Sequence, residues 1–224
     1  MECALRFANG LLFLAALGLA SGRVATVTAQ GIGDPSGALP NEGPRLGILL
    51  GGAWANPTVV SATKRRPMGM VSFRASWRLI GRGQHGLEYV VAMPAMLVAT
   101  SREFLDAGVG KDGQRTTTPL ATAFGLGIEP VGFRGLVGVA SGVRLTGDVS
   151  GGFLQFTSRV PVASGRTFNF TYSFGAGGEV DIGGGRTLTL GYRLLHYSNA
   201  SSALSNLGVD NGVVYAGVIV SPKR

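Results

Sequence analysis

Thr167-Phe168-Asn169-Phe170-Thr171-Tyr172-Ser173-Phe174 alternates without interruption, with an aromatic ring at every even position and a small polar side chain at every odd one. An extended chain turns successive side chains to opposite sides, so this stretch is predicted to be a strand with one aromatic and one polar face. The pattern recurs upstream, where Val71, Phe73, Ala75, Trp77 and Leu79 oppose Ser72, Arg74, Ser76 and Arg78. It recurs downstream in Thr187–Asn199, where Leu188, Leu190, Tyr192 and Leu194 share a parity with His196 and Ser198.

Between clusters of Gly, Pro, Asn and charged residues, eight such segments follow a Gly/Pro/Asn-rich leader: Leu46–Ala55, Gly69–Ile80, Leu87–Ala99, Leu120–Leu136, Gly142–Thr157, Thr167–Val180, Thr187–Asn199 and Asn211–Ser221. A soluble sandwich would alternate as well, so the placement of charge has to decide the solvent. Arg74, Arg78, Glu88, Arg144, Asp148 and Arg193 all stand opposite the stronger apolar stripe. That arrangement predicts an all-β fold, an eight-stranded antiparallel transmembrane β-barrel of outer-membrane type, apolar outside and polar within. Closure leaves no unpaired strand edge in hydrocarbon. Asp181–Arg186 and Ile80–Gly86 are short turns, while Arg102–Thr118 is a long polar loop, as expected for the two ends of such a barrel. Glu129-Pro130 needs a bulge or an unpaired position, because proline cannot donate to the ladder, and so predicts a break in the fourth strand.

With 224 residues, one large domain is the economical reading, and no apolar run reaches the length of a membrane helix. Residues 1–29 read as a signal peptide: Arg6 gives a weak positive start, Leu11–Ala20 an apolar stretch, and Val27-Thr28-Ala29 a small-residue cleavage pattern. Residues 30–45 then form the leader and 46–221 the barrel domain. Cys3 is the only cysteine and lies in the signal segment, which excludes thiol catalysis and zinc–thiolate sites. The remaining chain carries 18 basic and 11 acidic side chains. Such an excess favours phosphate-rich partners, and a secreted, alternating chain without a nucleic-acid motif points to an anionic lipid surface. No metal or cofactor site is expected.

His196 and Ser198 bring a base and a hydroxyl nucleophile to the end of a greasy stripe. Serine ester hydrolysis needs that pair, an acid to orient the base, and donors for the oxyanion. Asp210 lies at the start of the last strand, and its carboxylate can approach the imidazole if that strand forms a hairpin with Thr187–Asn199. Asn199 and Asn206 are amide-bearing candidates for an oxyanion donor or for tying down the loop. Each residue alone also reads as ordinary solvated or turn chemistry.

Tyr192-Arg193-Leu194-Leu195-His196-Tyr197-Ser198-Asn199-Ala200, followed by Asn206-Leu207-Gly208-Val209-Asp210, resembles the signature of the PagL-type lipid A deacylases, also labelled acyloxyacyl hydrolases. The similarity extends upstream through Leu87–Val91, Gly125–Pro130 and Phe168–Thr171. The resemblance implies an outer-membrane carboxylic ester hydrolase that removes the 3-position acyl chain of lipid A in lipopolysaccharide. It assigns the base to His196, the nucleophile to Ser198, the acid to Asp210 and the oxyanion side to Asn199, with Asn206 a recurrent family asparagine. The best-known pattern has glutamate at the acid position, so Asp210 is one methylene short. Arg102, Lys111 and Arg115 in the long loop are candidates for attracting lipid A phosphates, and a homodimer stays open. The alternative function is a non-catalytic barrel with a structural or lipid-binding role.

Overall fold

The computed structural model describes residues 43–53, 59, 61, 67–101, 120–162, 165–203 and 206–221. The expected signal segment, most of the leader, and the loop bearing Arg102, Lys111 and Arg115 lie outside them. Eight strands, β1 (Arg45–Ala53), β2 (Met68–Ile80), β3 (Gly86–Ser101), β4 (Leu120–Ala140), β5 (Val143–Val160), β6 (Arg166–Gly183), β7 (Arg186–Ser198) and β8 (Val209–Val220), pair antiparallel in chain order. β1 pairs with β8, closing the barrel.

The aromatic octet lies in β6, and its burial is the reverse of a soluble strand. Phe168, Phe170, Tyr172 and Phe174 are exposed, whereas Asn169, Thr171 and Ser173 are buried. The inversion runs around the whole barrel, from Leu46 and Ile48 on β1 to Val218 and Val220 on β8. An apolar surface on this scale is compatible with hydrocarbon and incompatible with water.

The lumen is filled in two layers. Toward the end where the short turns lie, charged side chains pair with one another. Glu179 is the hub, meeting Arg45 at 2.9 Å, Arg134 at 2.8 Å and Arg144 at 3.0 Å. Arg45 also meets Glu88 at 2.8 Å, and Arg144 also meets Asp181. Further up, Arg193 reaches Asp148 at 3.4 Å and stacks over the Tyr215 ring at 5.0 Å. At the loop end the interior becomes apolar, with Met68, Met70, Met96, Phe156, Leu195 and Tyr197 in one buried cluster. The in-strand charges that argued for a polar lumen therefore do occupy it, apart from Arg78, whose guanidinium caps the turn carbonyls of Gly83 and His85.

The expected break at Glu129-Pro130 is not a break. β4 runs unbroken through both residues, and the register instead slips between Ile128 and Val131 against β5 and between Tyr89 and Ala92 against β3. A bulge places the proline where no ladder donor is required. The Tyr89 hydroxyl donates to the freed carbonyl of Pro130. Glu129 faces the lumen, where it accepts from Ser150 at 2.8 Å.

Candidate active site on the outer wall

β7 changes character at its loop end. Leu188, Leu190 and Tyr192 face outward and are exposed, and the next residues of that parity, Leu194 and His196, are covered. Cross-strand register explains what covers the histidine. Tyr172 of β6 and Asp210 of β8 are its direct partners on either side. Paired residues share a face with their Cβ atoms about 5 Å apart, so the three side chains form one row across the outer wall.

Within that row the Tyr172 ring stacks on the imidazole, with centroids 4.7 Å apart and planes inclined by 23°. On the other side His196 Nδ1 and Asp210 Oδ1 lie 2.6 Å apart. His196 retains 7% of its surface and Asp210 none. The aspartate, one methylene shorter than a glutamate, reaches because it stands directly opposite the histidine.

The other carboxylate oxygen is held by the β1–β2 segment. Val59 N and Ser61 N each donate to Asp210 Oδ2 at 2.8 Å, and Asp210 N donates to Ser61 Oγ at 3.0 Å. Charge-assisted bonds of this kind fix a carboxylate more firmly than neutral ones. The acid is therefore fixed from two directions, by its histidine and by backbone amides nearly 150 residues away in sequence.

With Nδ1 engaged by the carboxylate, Nε2 is the nitrogen left for a substrate or nucleophile. It is turned toward the loop end, since a Cβ added to Gly208 would lie 2.8 Å from Cε1 and 3.4 Å from Nε2. Ser198 lies one row further in that same direction, opposite Phe170. Rows on one strand face are about 6.6 Å apart, and Ser198 Oγ is not hydrogen-bonded to the imidazole. The serine is half-buried and the asparagine after it, Asn199, is buried.

Asn199 opens a tight turn. Ser202 N donates to Asn199 O at 3.0 Å, and the central residues Ala200 and Ser201 have φ of 50° and 61°. Two left-handed non-glycine residues cost about 1 kcal/mol each, strain that concentrates at functional sites. Three side chains hold the turn. Ser202 Oγ donates to Asn199 O at 2.7 Å, Asn206 Nδ2 to Ser201 Oγ at 3.2 Å, and the Arg166 guanidinium to Ser202 O at 2.7 and 3.0 Å. Asn206 is exposed and takes part in this bracing. Among the described residues no cluster of His, Cys, Asp or Glu is arranged to hold a metal ion.

Sequence reasoning placed His196, Ser198 and Asp210 together but missed Val59, Ser61, Tyr172 and Gly208 as their neighbours. Tyr172 was legible as an outward residue, yet only the register of β6 on β7 shows that it meets the histidine. Gly208 has φ of +57° and no room for a side chain beside the imidazole. Under the ester-hydrolase reading that the resemblance implies, Gly208→Ala should push the ring aside and lower hydrolysis about a hundredfold, the scale of a 1 Å misplacement. Heat-modifiable gel mobility should stay that of a folded barrel, and undiminished hydrolysis would show that the ring tolerates the methyl group.

A closed barrel with an apolar outer wall and an ionic lumen, carrying a histidine–carboxylate pair on the wall that faces lipid, defines a small outer-membrane-type barrel with a membrane-exposed candidate site. Residues 100–218, more than half of the chain, match the profile of the lipid A 3-O-deacylase (PagL) family, and the chain belongs to that family. Among solved structures, the crystal structure of the outer membrane enzyme PagL aligns with a TM-score of 0.54 at 14% identity, covering 77% of this chain and 97% of that one. Neisserial surface protein A (NspA) aligns with a TM-score of 0.51 at 13% identity, covering 80% of this chain and 97% of the other. At such identities the likeness is one of fold. A search of curated proteins finds no match.

Proposed function

We propose that the protein is an outer-membrane serine esterase that hydrolyses the 3-position ester-linked acyl chain of lipid A. The observation that carries this reading is the 2.6 Å contact between His196 and a fully buried, amide-clamped Asp210, on the lipid-facing wall of a chain that belongs to the lipid A 3-O-deacylase family. A buried carboxylate with two backbone donors on one oxygen and an imidazole on the other orients the ring and stabilises its cationic form.

In this mechanism the acyl chain lies along the outer wall, where Phe153, Phe168 and Phe170 pack ring against ring. Binding closes the gap between Ser198 and Nε2. Ser198 Oγ attacks the ester carbonyl while Nε2 takes its proton, and Asp210 stabilises the imidazolium that forms. Asn199, at the start of the strained turn, faces the oxyanion. The sugar alkoxide leaves with the proton from His196, and water then releases the fatty acid by the same route in reverse. No cofactor enters these steps.

Lipid A isolated from cells with and without the protein tests the reading by mass spectrometry. The expected difference is the loss of one 3-hydroxyacyl group where the protein is present. Unaltered lipid A from cells holding abundant folded barrel would favour a non-catalytic role.

A further inference from the structure

At the loop end, the outward columns of β5 and β6 both finish in arginine. Arg166 continues the column of Phe168, Phe170 and Tyr172, and Arg159 that of Phe153, Gln155 and Thr157. All of these are exposed, and the Phe153 and Phe168 rings stack on one another. Val160 pairs with Arg166, which sets the two arginines at one height on adjacent strands. A wall that is aromatic below and cationic above matches a lipid standing in its leaflet, hydrocarbon first and anionic headgroup at the top.

Arg166 is also fixed in place. Its Nε and Nη2 both donate to Ser202 O, a neutral carbonyl that leaves the positive charge uncancelled. The described carboxylates stand elsewhere: Glu88, Glu129, Asp148 and Glu179 are buried in the lumen, Asp181 is at the turn end, and Asp210 is on His196. Ser202 closes the turn on Asn199, so this cation is linked by two hydrogen bonds to the residue that follows Ser198. Arg166 stands four residues above Phe170, the partner of Ser198. That is about 13 Å of strand, the scale of a phosphorylated sugar headgroup.

We propose that Arg166, with Arg159 beside it, forms a phosphate-binding subsite that holds the glycolipid headgroup and sets the height at which the ester meets Ser198. The subsite deepens the deacylase reading and rests on it for the identity of the lipid. Arginine suits the task because its planar fork takes two phosphate oxygens at once while one edge stays on Ser202.

The test reads binding alone, in a Ser198→Ala background in detergent micelles, by native mass spectrometry with lipid A and with chemically dephosphorylated lipid A. Phosphorylated lipid A is expected to bind about tenfold tighter, as one charge-assisted phosphate contact allows. The Arg159→Gln/Arg166→Gln double variant should lose that preference, and Arg166→Lys should keep most of it because the charge remains. A preference that persists in the double variant overturns the subsite. So does an Arg166→Lys variant as impaired as Arg166→Gln, which would make the arginine a brace for the turn. Phosphatidylglycerol at equal mole fraction should fail to displace lipid A, and full displacement would assign the arginines to bystander phospholipid and overturn the proposal. A phosphate-dependent binder whose parent chain releases no fatty acid would sink the deacylase reading and leave the subsite standing.

Discussion

Ser198→Ala is expected to abolish release of 3-hydroxy fatty acid from lipid A, a fall of roughly four orders of magnitude or more in kcat, while the barrel assembles normally. His196→Asn should do the same. The double variant should be no worse than either single one, because a nucleophile and its base act as a unit and their losses do not add. Asp210→Asn should fall less far, since it leaves base and nucleophile in place and removes only the orienting charge. These residues are at the wall's surface or bonded to one another, not in the lumen core, so substitution should not unfold the protein. Fatty acid quantified by gas chromatography–mass spectrometry, beside heat-modifiable gel mobility, separates chemistry from folding. Full activity in either single variant would eliminate the serine mechanism.

Glu179→Gln is expected to have the largest effect on stability. Glu179 is fully buried and meets three arginines, Arg45, Arg134 and Arg144, of which Arg134 is fully buried as well. Removing one member of a buried ionic cluster leaves the others desolvated without compensation, at a cost of about 3–5 kcal/mol. Replacing the whole cluster by apolar side chains of similar volume would cost far less, because the desolvation of every member would vanish together. Urea titration of the reconstituted barrel, followed by tryptophan fluorescence, should show an earlier midpoint for Glu179→Gln with an unchanged slope. A midpoint equal to that of the parent would mean that water enters the turn-end lumen and solvates the arginines.

The strands were legible because a barrel wall between lipid and a filled lumen imposes the two-residue period with little exception. Phe168 to Phe174 and Val71 to Leu79 show it most clearly, and the in-strand arginines showed which face was inside. Glu129-Pro130 marked an irregularity in β4, but a proline alone does not say whether the strand bulges or breaks, and here a bulge absorbs it. At the site, His196, Ser198 and Asp210 could be gathered from a strand, its parity and one hairpin. The direct opposition of His196 and Asp210 depends on register, which sequence alone leaves free by two residues at a time. The clamp from Val59 and Ser61 was beyond reach, since it uses backbone amides that any residue but proline supplies. Arg159 and Arg166 stand at strand ends, where a single cation is inconspicuous beside the clustered loop charges Arg102, Lys111 and Arg115.

The two-layered interior has a consequence for the membrane around it. Met68, Met96, Phe156 and Tyr197 fill the described interior at one end, and interlocked arginines and carboxylates fill it at the other. Side chains thus occupy the interior at both ends, and the candidate site stands on the outer wall. A barrel filled in this way is expected to carry little ion current, which planar-bilayer recordings of the reconstituted protein would check.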